Sequence, residues 1–180
     1  MYEQVIISGF GGQGALFAAQ VLAYAGMKEG RYVTWLPSYG VEMRGGTARC
    51  TVTISDEPIG SPITNSPTMA VVMNPPSMEK FEPLVKPGGY LVINDSLVPA
   101  PCTRKDITAI RVPANDIAKE IGNERLVNMV LLGALMKATG IVSFDSLVKA
   151  LEENIPERRR HLLEPNVKAI ERGAEAVVSG

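Results

Sequence analysis

The chain has 180 residues, 46% of them hydrophobic and 21% charged, a balance that suits one globular domain, with or without a helical appendage, and a sizeable core. Its net charge is −1 with both signs scattered, which gives no electrostatic footprint for nucleic acid, and no apolar run approaches the ~20 residues that span a bilayer. Two cysteines, Cys50 and Cys102, and one histidine, His161, rule out an ordinary four-thiolate iron–sulfur cluster and a multi-histidine metal site and argue against a Ser/His/Asp triad; with no secretory leader in view, a reducing cytoplasm is the expected setting.

The opening "YEQVIIS", residues 2–8, predicts a short buried strand. Glycines follow at once, and "ALFAAQVLAYAGMKEG", residues 15–30, predicts a helix that is apolar almost all round and therefore covered on both sides. "YVTWLPS", residues 32–38, is a second strand, completing a βαβ start that favours a parallel sheet with a right-handed crossover. After the loop "YGVEMRGG" comes the strand "TARCTVTIS", residues 47–55, too soon for a crossover helix; an antiparallel or distant pairing, hence a mixed sheet, is expected. The Pro/Gly/Ser loop of residues 56–68 precedes a strand in "MAVVM", a short helix around "SMEKFEPLV", and strands in "KPGGYLVIND" and "DITAIRVP".

Beyond Pro113 the pattern turns helical. "ANDIAKEIG" is one helix, with Asn115 or Asp116 as cap, "ERLVNMVLLGALMKATG" a buried second, and "SFDSLVKALEENI" a third with Ser143 as N-cap. A last helix is expected from about Glu157, with Leu163, Val167, Ile170, Ala174 and Val178 on its inward stripe. The fold class predicted is a three-layer α/β/α Rossmann-like domain with a mixed, mostly parallel sheet and C-terminal helices. One domain of residues 1–180 is expected, its α/β core about 1–113 and its helical layer about 114–180.

Gly9, Gly11 and Gly14 have the G-x-G-x-x-G spacing, and with Gly12 and Gln13 they form the candidate binding loop. A strand–glycine–helix junction gathers free amides at a helix N-terminus, which suits phosphate or another anion. A dinucleotide also needs an acid about twenty residues on, at the end of the next strand, to hold the ribose. Here that strand ends "WLPSYG", with neither Asp nor Glu and no Arg for a 2′-phosphate. Three readings stand: tight packing of strand, turn and helix; an anion site; a loop presented to a partner. "NPPS", residues 74–77, follows a strand and is placed in the same cleft. Trp35 and the scattered methionines are assigned to core packing, Cys50 to a buried strand position, and His161 and the neighbouring arginine run to solvent.

The second unusual stretch is "SYGVEMRGGTARCTV". Together, "SGFGGQGALFAAQVLA", "PSYGVEMRGGTARCTVTIS", "IGSP", "LVKPGGYLVIND" and "NMVLLGALMKATGIVSFDSL" resemble the gamma subunit of the 2-oxoacid:ferredoxin oxidoreductases, over nearly the whole chain. Members of that family often carry an acidic residue in the segment before the "MAVVM"-like strand, and "NSPTMAVVM" here has none. The resemblance implies a complex that decarboxylates a 2-oxoacid, such as 2-oxoglutarate or pyruvate, oxidatively with coenzyme A, passing electrons to ferredoxin. It implies that thiamine diphosphate and iron–sulfur clusters sit on alpha, beta and ferredoxin-like delta subunits, that this chain holds no cofactor or metal alone, and that it carries no catalytic residue. It also implies an interface at Tyr39, Gly40, Glu42, Arg44, Gly45 and Gly46, joined by the glycine loop and the apolar first helix; the same surface is expected to pair two copies of an isolated chain. The glycine loop, with Arg44, would hold a phosphate of coenzyme A. A free-standing Rossmann-like nucleotide-binding protein or NAD-dependent reductase subunit is the alternative.

Overall fold

Among the described residues six strands form one mixed sheet in the order β2-β3-β1-β4-β5-β6, where β1 is Tyr2–Phe10, β2 Tyr32–Ser38, β3 Thr47–Ser55, β4 Met69–Val72, β5 Tyr90–Asn94 and β6 Thr108–Val112. The structure, a computed structural model, describes residues 1–38 and 47–178. The helices are α1 (Ala15–Lys28), α2 (Pro75–Phe81), α3 (Ala114–Ile121), α4 (Val127–Thr139), α5 (Phe144–Asn154) and α6 (Leu163–Val178). Strands β1, β4, β5 and β6 run parallel, while β3 lies antiparallel between β1 and β2, pairing Tyr2 with Ser55 and Phe10 with Thr47. The antiparallel expectation for the "TARCTVTIS" strand is met. The βαβ start is altered in one respect: β1 and β2 share a direction but are not neighbours, because β3 is inserted between them.

The layers follow from alternation. Val5, Ile7, Cys50, Val52, Ile54, Val71 and Val92 turn to one face and join α1, α3, α4, α5 and α6 in the main core. Ile6, Ala70, Val72, Leu91 and Ile93 turn to the other and meet Met78 and Phe81 of α2 in a smaller core. β1, β4 and β5 are therefore buried on both faces, which explains their unbroken apolar runs. Helix α1 is covered on both sides, by the sheet and by α4 and α5, so its apolar surface is spent inside this chain. Its exposed apolar residues are Tyr24 and Met27, toward its C-terminal end.

Four further expectations change. Trp35 is 42% exposed and Met27 58%, because β2 is an edge strand and the end of α1 overhangs it. The first residue before α3 is Pro113, and its N-terminus is capped from outside: the Asn115 and Asp116 amides donate to Ser96 Oγ at 3.2 and 3.3 Å. The last helix begins at Leu163, after a 3-10 turn Glu157–Leu162 that contains non-helical Arg159. Its inward face carries Asn166, Ala169, Ile170 and Gly173, with Leu163 and Val167 on the flank. The reason is a backbone-close crossing with α4: a Cβ on Gly173 would lie 1.8 Å from the Val130 carbonyl oxygen, and one on Gly133 2.1 Å from that of Ile170. Among the described residues no helix is long and apolar enough to cross a membrane.

Candidate functional site

The glycine loop lies where the chain leaves β1 for one face while β4, β1's other neighbour, leads to α2 on the opposite face. This is a switch point of the sheet, the place where open α/β sheets open a crevice. The turn is built by Gln13. Its amide donates to the Phe10 carbonyl at 3.0 Å, and its Oε1 accepts the Phe10 amide at 2.6 Å. Asn74 Nδ2 donates to the same Oε1 at 3.4 Å, so the "NPPS" segment does line this cleft. Asn74 also caps α2 through the Ser77 amide, and Ser77 Oγ meets Ser8 Oγ at 2.8 Å.

Two of the loop's glycines answer local packing demands. A Cβ on Gly9 would meet Gln13 Oε1 at 2.7 Å and Met73 Sδ at 2.9 Å. One on Gly14 would meet Asn128 Nδ2 at 2.4 Å, and Gly14 has φ +80° besides. Both satisfy the packing reading. Gly12 differs: it has φ +93°, is exposed, and a Cβ there would meet nothing among the described residues. Helix α1 starts at Gly14 with no side-chain cap and no acid in its first turn. Among the described residues the amides of Ala15, Leu16 and Phe17 find no acceptor. A helix N-terminus thus carries its partial positive charge at the mouth of the turn, uncompensated.

Around it stand carboxamides that sequence reasoning passed over. Asn128, at the start of α4, donates to the Gly14 carbonyl at 3.1 Å and accepts the Met129 amide at 2.9 Å. Asn94 Nδ2 donates to the Met73 carbonyl at 3.2 Å and to Asn115 Oδ1 at 2.7 Å, leaving its own buried Oδ1 without a partner among the described residues. The signal was present: each is a lone Asn at the edge of an apolar run, "LVNMVLL" and "LVIND".

A dinucleotide does not fit this geometry. The acid that holds a ribose belongs at the end of the strand beside β1. That neighbour is the antiparallel β3, and the end of β2 stands one strand further out. Gln13 also lays its side chain back over the turn. Tyr39, Gly40, Glu42, Arg44, Gly45 and Gly46 lie outside the described residues. The strand ends that carry them, Ser38 and Thr47, sit at the glycine-loop end of the sheet, Thr47 being paired with Phe10. Cys50 is fully buried in β3, and burial pushes its thiol up to about 12. His161 is exposed in the turn before α6.

Over residues 4–176 the sequence matches the family described as pyruvate ferredoxin/flavodoxin oxidoreductase. It is 40% identical over 174 residues to ketoisovalerate oxidoreductase subunit VorA of Methanothermobacter marburgensis, covering 96% of this chain and 36% of that subunit. The chain therefore spans about a third of that relative's length. It is 34% identical over 187 residues to 2-oxoglutarate synthase subunit KorC of the same organism, covering 100% of this chain and 99% of the other. The gamma subunit of a keto/oxoacid ferredoxin oxidoreductase from Geobacter sulfurreducens superposes with a TM-score of 0.85 at 28% identity, over 99% of both chains.

Proposed function

The chain belongs to the pyruvate ferredoxin/flavodoxin oxidoreductase family, and from that premise we propose that it is the gamma subunit of a 2-oxoacid:ferredoxin oxidoreductase. The complex would convert a 2-oxoacid and coenzyme A to acyl-CoA and carbon dioxide, with the electrons passing to ferredoxin. The observation that carries this reading is the end-to-end correspondence with a subunit of equal size, KorC, at 34% identity. Thiamine diphosphate and iron–sulfur clusters would belong to companion alpha, beta and delta subunits. A cluster does not fit the residues here: the Cys50 thiol is buried and held protonated, and no three His, Cys, Asp or Glu side chains converge among the described residues.

The chain's own contribution is binding and placement. Residues 39–46 and the neighbouring glycine loop would meet the companion subunits. The free amides of Ala15, Leu16 and Phe17, reached past the side-chain-free tip at Gly12, would hold a phosphate of coenzyme A. Gln13 and Asn128 do not touch that phosphate in this account; they fix the turn that aims the amides.

Gly12→Trp in the co-expressed complex tests this. Loss of CoA affinity in an intact complex supports the phosphate role, and failure to recover the complex supports assembly. If neither changes, the loop has neither role. An isolated chain that turned over a 2-oxoacid unaided would overturn the subunit assignment altogether.

A further inference from the structure

The two faces of the sheet are covered unequally. Helices α1, α3, α4, α5 and α6 lie on one, while α2 lies on the other, over Ile6, Ala70, Val72, Leu91 and Ile93. Past α2 that second face continues onto β3 and β2, where a cleft of about 600 Å³ opens. Leu36, Arg49 and Thr51 line it from the strands, Phe81 and Leu84 from α2 and the turn after it, and Ile63 from the loop between β3 and β4. Leu36, Ile63 and Leu84 are all exposed, so three large apolar side chains converge on one concave space of the size that takes an organic ligand. Arg49 is the one charged side chain in its lining. Arg49 also stands apart from the other half-buried arginines. Arg31, Arg104, Arg111 and Arg172 each hold a carboxylate oxygen at 2.5–2.9 Å. Arg49 meets no carboxylate and no hydrogen-bond acceptor among the described residues; its guanidinium carbon lies 5.8 Å from the centroid of the Phe81 ring. The ring holds the charge in place without neutralising it.

We propose that this cleft binds a small organic anion, a carboxylate or phosphate head on Arg49 and an apolar body against Leu36, Ile63 and Leu84. Each part of the ligand answers a feature of the cleft. The guanidinium offers a planar fork of donors that matches a carboxylate or phosphate, and here the fork is unspent. No acid lines the cleft, so an entering anion meets no like charge. The remaining walls are mostly apolar and reward a hydrocarbon body rather than a bare ion. Concavity and a single polar anchor are the marks of a small-molecule pocket, and they favour this occupant over a broad protein contact. The site is separate from the α1 amides, which belong to the opposite face of the sheet, so either can fail without the other.

The test is a fluorescence titration of the full chain with two probes of like shape, anionic anilinonaphthalene sulfonate and neutral phenylnaphthylamine. Saturable binding of the anion is expected. Arg49→Met keeps an apolar stem over Phe81 and should weaken the anionic probe by about 10-fold or more while leaving the neutral one in place, which also shows that the variant is folded. Ile63→Asp, at an exposed loop position, should weaken the anionic probe as well, and Arg158→Met, at an exposed arginine outside the cleft, should change neither. Octanoate or octyl phosphate should displace the anion and octanol should not, and the stronger competitor identifies the head group. The proposal is overturned if the anionic probe does not bind, if Arg49→Met weakens both probes equally or neither, if Arg158→Met matches it, or if octanol competes as well as the acids. It is also overturned if the binding that depends on Arg49 vanishes in the co-expressed complex, since a companion subunit would then cover the cleft.

Discussion

Helices α1 and α5 pack against each other but begin in opposite ways. α5 is closed at its start: Ser143 Oγ accepts the Ser146 amide at 3.1 Å, the Ser143 amide donates to Glu29 Oε1 at 2.7 Å, and Asp145 stands in the first turn. α1 starts from a left-handed glycine with no cap and no acid, and its first amides find no acceptor among the described residues. One chain therefore contains both a sealed helix N-terminus and an open one. The open one lies at the switch point of the sheet, where an external acceptor has access. Its other end is finished with care, since Glu29, the residue that caps α1 at its C-terminus, is the one that reaches across to α5. The contrast locates the binding capacity of the fold in what one junction leaves undone.

The largest change should come from forcing the open junction. Gly14→Ala places a Cβ against Asn128 Nδ2 and a side chain at φ +80°, and together these should cost about 3 kcal/mol in denaturant unfolding. Adding Asn128→Ala should recover only the steric share, and a full recovery would show that the left-handed backbone carries no strain. Gly12→Ala comes next. It meets no atom of the described residues, so the φ of +93° is what opposes it, at about 1–2 kcal/mol. If Gly12→Ala proved as damaging as Gly14→Ala, the tip would be packed rather than open, and the comparison would break.

How much of this was written in the sequence depends on whether the signal is local. The strands "YVTWLPS" and "TARCTVTIS" and the Ser143 cap were legible because alternation and capping chemistry act over a few neighbouring residues. The fold class followed from their order. The insertion of β3 beside β1 was only half legible: the short connection forbade a parallel neighbour, but nothing local says that β3, not β2, takes the place next to β1. The glycine loop was conspicuous for its spacing, yet two of its glycines serve contacts with Met73 and Asn128, distant in sequence. The tightest glycines among the described residues, Gly133 and Gly173, carried no motif, because their demand arises only when α4 crosses α6. Trp35 was misplaced for the same reason: a strand's own residues do not reveal that it lies at an edge.

On the closed side of the comparison the effects are smaller. Ser143→Ala removes a cap and should cost about 1 kcal/mol in thermal unfolding. The equivalent loss has no counterpart at α1, where there is no cap to remove.

Glu29 gives the finest distinction, because its contribution is one of charge. Partial burial pushes its carboxyl upward, but the Ser143 amide, the Ser146 and Ser143 hydroxyls and nearby Arg31 outweigh that, and the net shift is below the ordinary value of 4.5. A carboxyl whose folded value is depressed adds stability at pH values above its unfolded value, and loses it as pH falls through the folded one. Glu29→Gln keeps an acceptor for the Ser143 amide but discards the charge at the α5 N-terminus. Wild type and Glu29→Gln should therefore differ by about 0.3–0.5 kcal/mol at neutral pH, and their melting curves should converge as the pH falls below 4.5 and through the depressed folded value. A difference that persisted unchanged into acid would mean that the side chain acts as a neutral hydrogen-bond acceptor. The two helix starts would then differ in geometry alone, and the case for an electrostatically open α1 terminus would rest on its amides without support from its neighbour.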